Sequence, residues 1–238
     1  MGVGDDLGTI LGVWAHPDDE TYLSAGLMAA ARRSGQRVVC VTATRGEKGS
    51  WDEERWPSAT LGSIREEELN RCLAILGVDE HLWLDYADGG CIDVDESEAI
   101  KRVAAIVEEV QPDTFLTFGP DGMTGHDDHK SVSRWTTAAF AAAGKPGAKL
   151  HYATNTQAWV DQWVPVFQKF DVFFAGGPPV DKEEDLSINF PLPPDVLELK
   201  LRAIGEHVSQ VEGMLNAFGE DIFREAMKAE TYRLAAFK

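Results

Sequence analysis

The chain reads as an α/β fold with a mostly parallel sheet between helical layers, and three observations predict it. Apolar, strand-like runs alternate with helical patterns through the first half of the sequence. The connections between successive runs are long enough to carry a helix, as crossovers between parallel strands require. A length of 238 residues suits one such unit with a large core.

The first strand is the apolar run Leu7-Gly8-Thr9-Ile10-Leu11-Gly12-Val13, read through residue 14 as a buried strand. A helix is expected at about 20–34, then a strand over Arg37-Val38-Val39-Cys40-Val41-Thr42 and a helix at about 62–76. His81-Leu82-Trp83-Leu84 reads as the third strand. The helix at about 96–110 places Ile100, Val103, Ala104, Ile106, Val107 and Val110 at helical spacing and stops at Gln111-Pro112. Thr114-Phe115-Leu116-Thr117-Phe118 is the fourth strand. The next helix starts near Asp127 and runs to about Ala143, closed by Gly144 and Pro146. Lys149-Leu150-His151-Tyr152-Ala153 is a further strand. From about 155 to 192 the pattern is less regular, with Trp159, Trp163 and a turn at Gly176-Gly177-Pro178-Pro179. A long helix follows at about 194–212. Neither an internal repeat nor a low-complexity linker divides the chain, so residues 1–238 are read as one domain. The predicted architecture is thus a Rossmann-like three-layer sandwich, although no GxGxxG nucleotide signature follows the first strand.

Charge narrows the classes of partner. A net charge of −18 opposes binding to a nucleic-acid backbone or an anionic membrane. Acidic runs such as Asp52-Glu53-Glu54, Glu66-Glu67-Glu68 and Glu183-Glu184-Asp185 read as solvated faces. No apolar run has the length that crosses a bilayer, and Met1–Asp6 has no basic leader-like character. Cys40, Cys72 and Cys91 are odd in number and lack CxxC spacing, which argues against a disulfide framework and fits a reducing cytoplasm.

Open parallel sheets place ligand sites at the carboxyl ends of their strands. Two such ends carry chemistry here. The first reads His16-Pro17-Asp18-Asp19-Glu20, and the second runs from Gly119 to Gly125-His126-Asp127-Asp128-His129. Three of the six histidines fall at these two ends, beside acids. Together they offer His16, Asp19 and one later histidine as three ligands, the number that a catalytic zinc site takes while keeping a position for water. Asp18 is then a spare carboxylate. Adjacent residues on a tight turn point in different directions, so one acid can hold a metal while the other faces water.

The pair AHPDDE at 15–20 and GHDDH at 125–129 resembles the LmbE-like (PIG-L) family of zinc-dependent N-deacetylases. Thr44-Arg45-Gly46-Glu47-Lys48-Gly49, Ile64-Arg65-Glu66-Glu67-Glu68-Leu69, Leu76-Gly77-Val78 and His207-Val208-Ser209-Gln210 are similar to further family segments, so the likeness runs from about 10 to 210. The resemblance implies that His16, Asp19 and His129 hold Zn2+, with Fe2+ as the alternative ion. It implies Asp18 as general base, His126 as the group that stabilises the oxyanion or protonates the leaving group, and Asp128 as the acid that orients His126. Arg65 matches an arginine that reaches into the substrate pocket, with a plain Arg65–Glu68 helical pair as the competing reading. Asp127 stands where the family often has proline, and an acid is also favoured at a helix entry.

Glu47 reads as a hydrogen-bond acceptor for sugar hydroxyls. Trp51 and Trp56 lie on a polar loop and read either as a lid over a sugar ring or as anchors of the loop. The implied activity is removal of an acetyl group from a small N-acetylated amino sugar, with neither nucleic acid nor membrane as partner and a homo-oligomer left open. An amidase acting on a sugar-thiol conjugate is the near alternative. A non-haem Fe(II) enzyme and a non-catalytic sugar-binding protein are the others.

Overall fold

The computed structural model describes residues 7–174 and 176–236. Met1–Asp6, on which the reading of the N-terminus rests, lie outside them. A seven-stranded sheet forms the middle layer, in the order β3-β2-β1-β4-β5-β7-β6. The strands are β1 (Ile10–Trp14), β2 (Val38–Thr44), β3 (Glu80–Tyr86), β4 (Thr114–Phe118), β5 (Lys149–Ala153), β6 (Leu186–Pro191) and β7 (Ala229–Leu234). The first five pair in parallel, whereas β7 is antiparallel to both β5 and β6. The predicted α/β class holds, with a mixed edge that the sequence pattern did not announce.

The helices are α1 (Asp19–Arg33), α2 (Ser58–Leu76), α3 (Glu96–Val110), α4 (Asp127–Ala143), α5 (Gln157–Phe167), α6 (Pro194–Glu206), α7 (Val208–Phe218) and α8 (Glu220–Ala226). Of these, α1, α2 and α6 pack together, while α3 packs on α4. β1, β2 and β4 are buried along their whole length, which explains their unbroken apolar runs. Chain order reverses at the centre of the sheet. β1 is followed by β2 on one side and flanked by β4 on the other, with Ile10 opposite both Val38 and Thr114. This reversal sets the carboxyl ends of β1 and β4 side by side, and these ends carry the two motifs. Trp14 and Phe118 meet edge to face, with centroids 5.2 Å apart, directly beneath them.

The helix expected over 194–212 is two helices. The chain breaks at His207 (φ −81°, ψ 52°), whose buried ring bonds to Glu20 on α1. Periodicity continues across the break because α7 also has an apolar face. A tertiary hydrogen bond, rather than a local breaker, ends α6.

Candidate active site

The turn after β1 separates its two aspartates. Asp18 adopts φ 123°, ψ −29°, outside the usual range for a residue with a side chain, a conformation that costs about 1–3 kcal/mol. It is the N-cap of α1, yet its carboxylate makes no capping bond, unlike most aspartates there. Glu20 instead accepts the Asp18 N–H at 3.0 Å. The carboxylate of Asp18 therefore stays available and lines the cleft. Asp19 turns back under the strand, where its Oδ2 accepts the N–H groups of Ala15 at 3.1 Å and His16 at 2.8 Å.

His16, Asp19 and His129 converge. His16 Nδ1 lies 3.1 Å from His129 Nε2. Asp19 Oδ1 lies 3.4 Å from His129 Nε2, and Asp19 Oδ2 lies 3.8 Å from His16 Nδ1. Ligand atoms about 2.0 Å from a tetrahedral ion sit about 3.3 Å from one another, so the spacing suits a small divalent metal.

The far side of each ring agrees. His16 Nε2 faces carboxylate oxygens of Asp128 and Asp88, each at 3.2 Å, and must donate to them. His129 Nδ1 donates to the Gly122 carbonyl at 3.0 Å. With both rings neutral, these bonds leave a lone pair on the nitrogen that faces the centre, the arrangement that metal-binding histidines use. Without an ion, a proton on His16 Nδ1 bridges the 3.1 Å to His129 Nε2; a bound cation would take the place of that proton. Phe118 stacks on His129 at 4.1 Å and fixes the plane of its ring.

The charges describe the site before an ion enters. Burial pushes the Asp19 carboxyl up to about 7, against the pull of His16. Burial acts to lower the pKa of His16, but hydrogen bonds to Asp128 and Asp88 and the charge of Asp19 outweigh it and carry His16 to about 10. Burial, with repulsion from His16 and His126, keeps His129 well below the ordinary imidazole value and hence neutral, as a ligand must be. The acids Asp18, Asp19 and Asp88 line the cleft together with the cationic His16 and Arg65, and an ion that binds would displace the extra proton of His16. Asp18 is also raised by burial, and the Arg65 charge opposes the rise.

Two of the expected residues, Asp128 and Glu47, sit elsewhere than expected. Asp128 was expected to orient His126, but its carboxylate serves His16, and also accepts the N–H groups of Gly89 at 2.7 Å and Cys91 at 3.0 Å. His126 receives only the backbone N–H of Asp128, on Nδ1, at 3.1 Å. Its other nitrogen therefore carries the proton of a neutral ring, and burial and the nearby His16 lower its pKa. The reason is position. His126 caps α4, and Asp128, inside the first turn, faces the β1 end rather than its own cap.

Arg65 and Glu68 do not pair with each other. Arg65 is buried, donates to the Gly46 carbonyl at 3.0 Å and lies 3.2 Å from Asp18 Oδ2. Its guanidinium fills the space where a Cβ at Gly46 would stand. Glu68 accepts instead from the N–H of Ser209 at 2.8 Å and its hydroxyl at 2.7 Å. Glu47 is absent from the cleft lining, because its carboxylate accepts the N–H of Asp88 at 2.9 Å. Trp51 and Trp56 are absent from it too. Trp51 stays 49% exposed and donates from its indole to the Ser209 carbonyl at 2.6 Å, which ties the loop to α7 rather than to the core.

Asp88 escaped the sequence reading, although it follows β3 at the same end of the sheet. The strand-end rule, applied to Asp85-Tyr86-Ala87-Asp88, would have found it. Behind the turn, the buried His207 and Glu20 lie 3.2 Å apart, with the Thr21 hydroxyl 3.0 Å from His207. Glu20, pulled down to about 2 by His207 and its hydrogen bonds despite the burial that raises it, thus links the C-terminal half to the Asp18 backbone.

Comparison with known proteins agrees with this geometry. A family model described as PIG-L, GlcNAc-PI de-N-acetylase, matches residues 11–140. A 1D-myo-inositol 2-acetamido-2-deoxy-alpha-D-glucopyranoside deacetylase of Mycobacterium sp. (strain KMS) is 30% identical over 239 aligned residues, covering 87% of this chain and 75% of the relative. Among solved structures, the N,N'-diacetylchitobiose deacetylase of Pyrococcus horikoshii superposes with a TM-score of 0.61 at 23% identity, covering 97% of this chain and 84% of the other. The 4-carboxy-2-hydroxymuconate hydratase GalB of Pseudomonas putida KT2440 superposes with 0.65 at 16% identity, covering 98% of each. A hydratase on this scaffold means that the fold alone does not fix the reaction.

Proposed function

The chain belongs to the PIG-L family, and from that premise we propose that it is a metal-dependent amide hydrolase that removes the acetyl group from an N-acetylglucosamine-type substrate. The observation that carries the proposal is the convergence of His16 Nδ1, His129 Nε2 and Asp19 on one point, with Asp18 beside them and bound to none of them. We read the ion held by His16, Asp19 and His129 as Zn2+, a choice that the two-nitrogen, one-oxygen donor set supports. One domain and a cytoplasmic location belong to the same reading. One continuous sheet that includes β7 and three free, buried thiols support them.

When bound, such an ion supplies Lewis acidity, lowering the pKa of water from 15.7 to about 7 and polarising a carbonyl. The rest is the work of this chain. Asp18 takes a proton from the attacking water as its oxygen bonds to the amide carbon. Arg65, 3.2 Å away, holds the Asp18 carboxylate in place and favours its charged form. The Nε2–H of His126 donates to the carbonyl oxygen as negative charge grows there. As the C–N bond breaks, Asp18 returns its proton to the departing nitrogen. Acetate and a free amine leave.

An assay of amine release from N-acetylglucosamine and its glycosides tests the proposal. The protein should release acetate and amine in equal amounts, lose activity on chelation and regain it with Zn2+. Oxygen consumption with Fe2+ in place of amine release would instead support the non-haem iron reading.

A further inference from the structure

The residues that carry the proposed chemistry fall within 11–140, the segment that the family model matches. The facing wall of the cleft is built from the C-terminal half. There Trp159, Phe167, Phe173, Met214 and Met227 line the same cavity as the metal centre, and the Phe174 ring stands 5.4 Å from that of His126.

The polar groups on this wall are already engaged within the protein. The Trp159 indole donates to the Ala226 carbonyl at 2.9 Å, and the Thr154 hydroxyl to Asp181 at 2.6 Å. The Thr231 hydroxyl donates to the Thr154 carbonyl at 2.6 Å, and the Asn155 amide to that of Pro179 at 3.4 Å. Glu230 is occupied by Lys200 and by the N–H groups of Gly26 and Leu27, each at 2.8 Å. A polyol laid against this wall would lose water from its hydroxyls and find few partners, which is costly.

The Asp18 side differs. There the Tyr22 hydroxyl is buried without a hydrogen-bond partner among the described residues, and Lys48 and Gln210 line the cleft. Of the other polar lining residues, the half-buried Thr156 accepts the Trp159 N–H at 3.2 Å, the half-buried Thr124 hydroxyl lies 3.3 Å from His129 Nδ1, and Glu183 and Asn189 are solvent-exposed. The cavity measures about 810 Å3, toward the upper end of the roughly 300–1,000 Å3 of drug-sized ligand sites and far more than one sugar ring fills.

We infer that the substrate is an N-acylated amino sugar carrying an extended apolar group, alkyl or aryl, that lies along the C-terminal wall. The sugar part of this inference rests on the deacetylase reading above; the apolar part rests on the wall. It sets this protein apart from relatives named for an inositol-linked sugar, since inositol is a polyol. The apolar group is attached either at the glycosidic carbon or on the acyl carbonyl, and the test distinguishes the two.

Titration calorimetry on the full, metal-loaded chain measures Kd for the methyl and octyl glycosides of N-acetylglucosamine, for N-octanoylglucosamine and for the inositol glycoside, with amine release followed in the same samples. At least one octyl ligand should bind about tenfold or more tightly than the methyl glycoside. The octyl glycoside gaining assigns the group to the glycosidic carbon, and N-octanoylglucosamine gaining assigns it to the acyl side. In Met214→Gln, a change of similar volume at a half-buried position, the octyl advantage should fall to about threefold or less. Equal Kd for octyl and methyl ligands in the native chain, or preference for the inositol glycoside, overturns the inference whether or not the variant folds. Amine release reports separately on the parent reading. If no ligand yields an amine, the deacetylase reading falls, and the Kd ratio still decides the apolar wall.

Discussion

Asp18 and Asp19 are neighbours in sequence and opposites in environment. Asp19 is tied by two backbone N–H groups and faces His129. Asp18 has no capping bond and faces the cleft beside Arg65. Around them, Asp128 and Asp88 both face His16 Nε2, and in the proposed mechanism they act through it and not on substrate. Their loss should therefore weaken the metal before it slows chemistry. Asp128→Asn and Asp88→Asn should each raise the Kd for Zn2+ by about 10–100-fold, read by competition with a chromophoric chelator. An unchanged Kd in both would refute the assignment of His16 Nε2 as their donor. Arg65→Met should lower kcat by about tenfold or more with little change in KM, because Arg65 positions the base; a change in KM alone would mean that it grips substrate. The residues legible in the sequence were those at the ends of strands. Asp88 lies at a third strand end, but the apolar run of that strand stops at Leu84, whereas the strand itself continues through Asp85 to Tyr86. Roles that depend on which ring nitrogen faces which acid needed coordinates.

At the level of elements, α1 carries both acids and is held in place by an unusual contact. Glu230 from β7 accepts the N–H groups of Gly26 and Leu27 in the middle of α1. The Tyr22 and Leu23 carbonyls, four residues back, accept instead from Lys200 and the Tyr232 hydroxyl, at 2.7 and 2.8 Å. The ion pair of Lys200 and Glu230 at 2.8 Å is almost wholly buried. Removing one partner leaves a buried charge unpaired, so Lys200→Met should destabilise the protein by about 3–5 kcal/mol, measured by urea unfolding. A loss under 1 kcal/mol would show that the charge finds water or another partner. Nothing in the sequence marks this link. A buried glutamate in a strand runs against the alternation that identifies strands, which is why β7 was not read at all. The same holds for His207, whose hydrogen bond to Glu20 ends α6 without a proline or a helix-capping glycine. The parallel half of the sheet was legible because each strand there is an unbroken apolar run bounded by a helix.

Across the whole molecule, the N-terminal half carries the residues of the proposed chemistry and the C-terminal half supplies the facing wall and the clamp on α1. The central strands and helices bury Cys40, Cys72 and Cys91, so a thiol reagent should label all three only as the chain unfolds. Fast labelling of the native protein would contradict this packing. No helix among the described residues is long and apolar enough to cross a membrane. The central claim is that three side chains hold the metal while Asp18 alone handles the proton. It is tested most directly by measuring bound zinc and amine release together in Asp18→Asn and Asp19→Ala. Asp18→Asn should keep about one equivalent of zinc and lose at least about a hundredfold in turnover, whereas Asp19→Ala should lose both metal and turnover. Full activity in Asp18→Asn, or a native zinc content in Asp19→Ala, would contradict it.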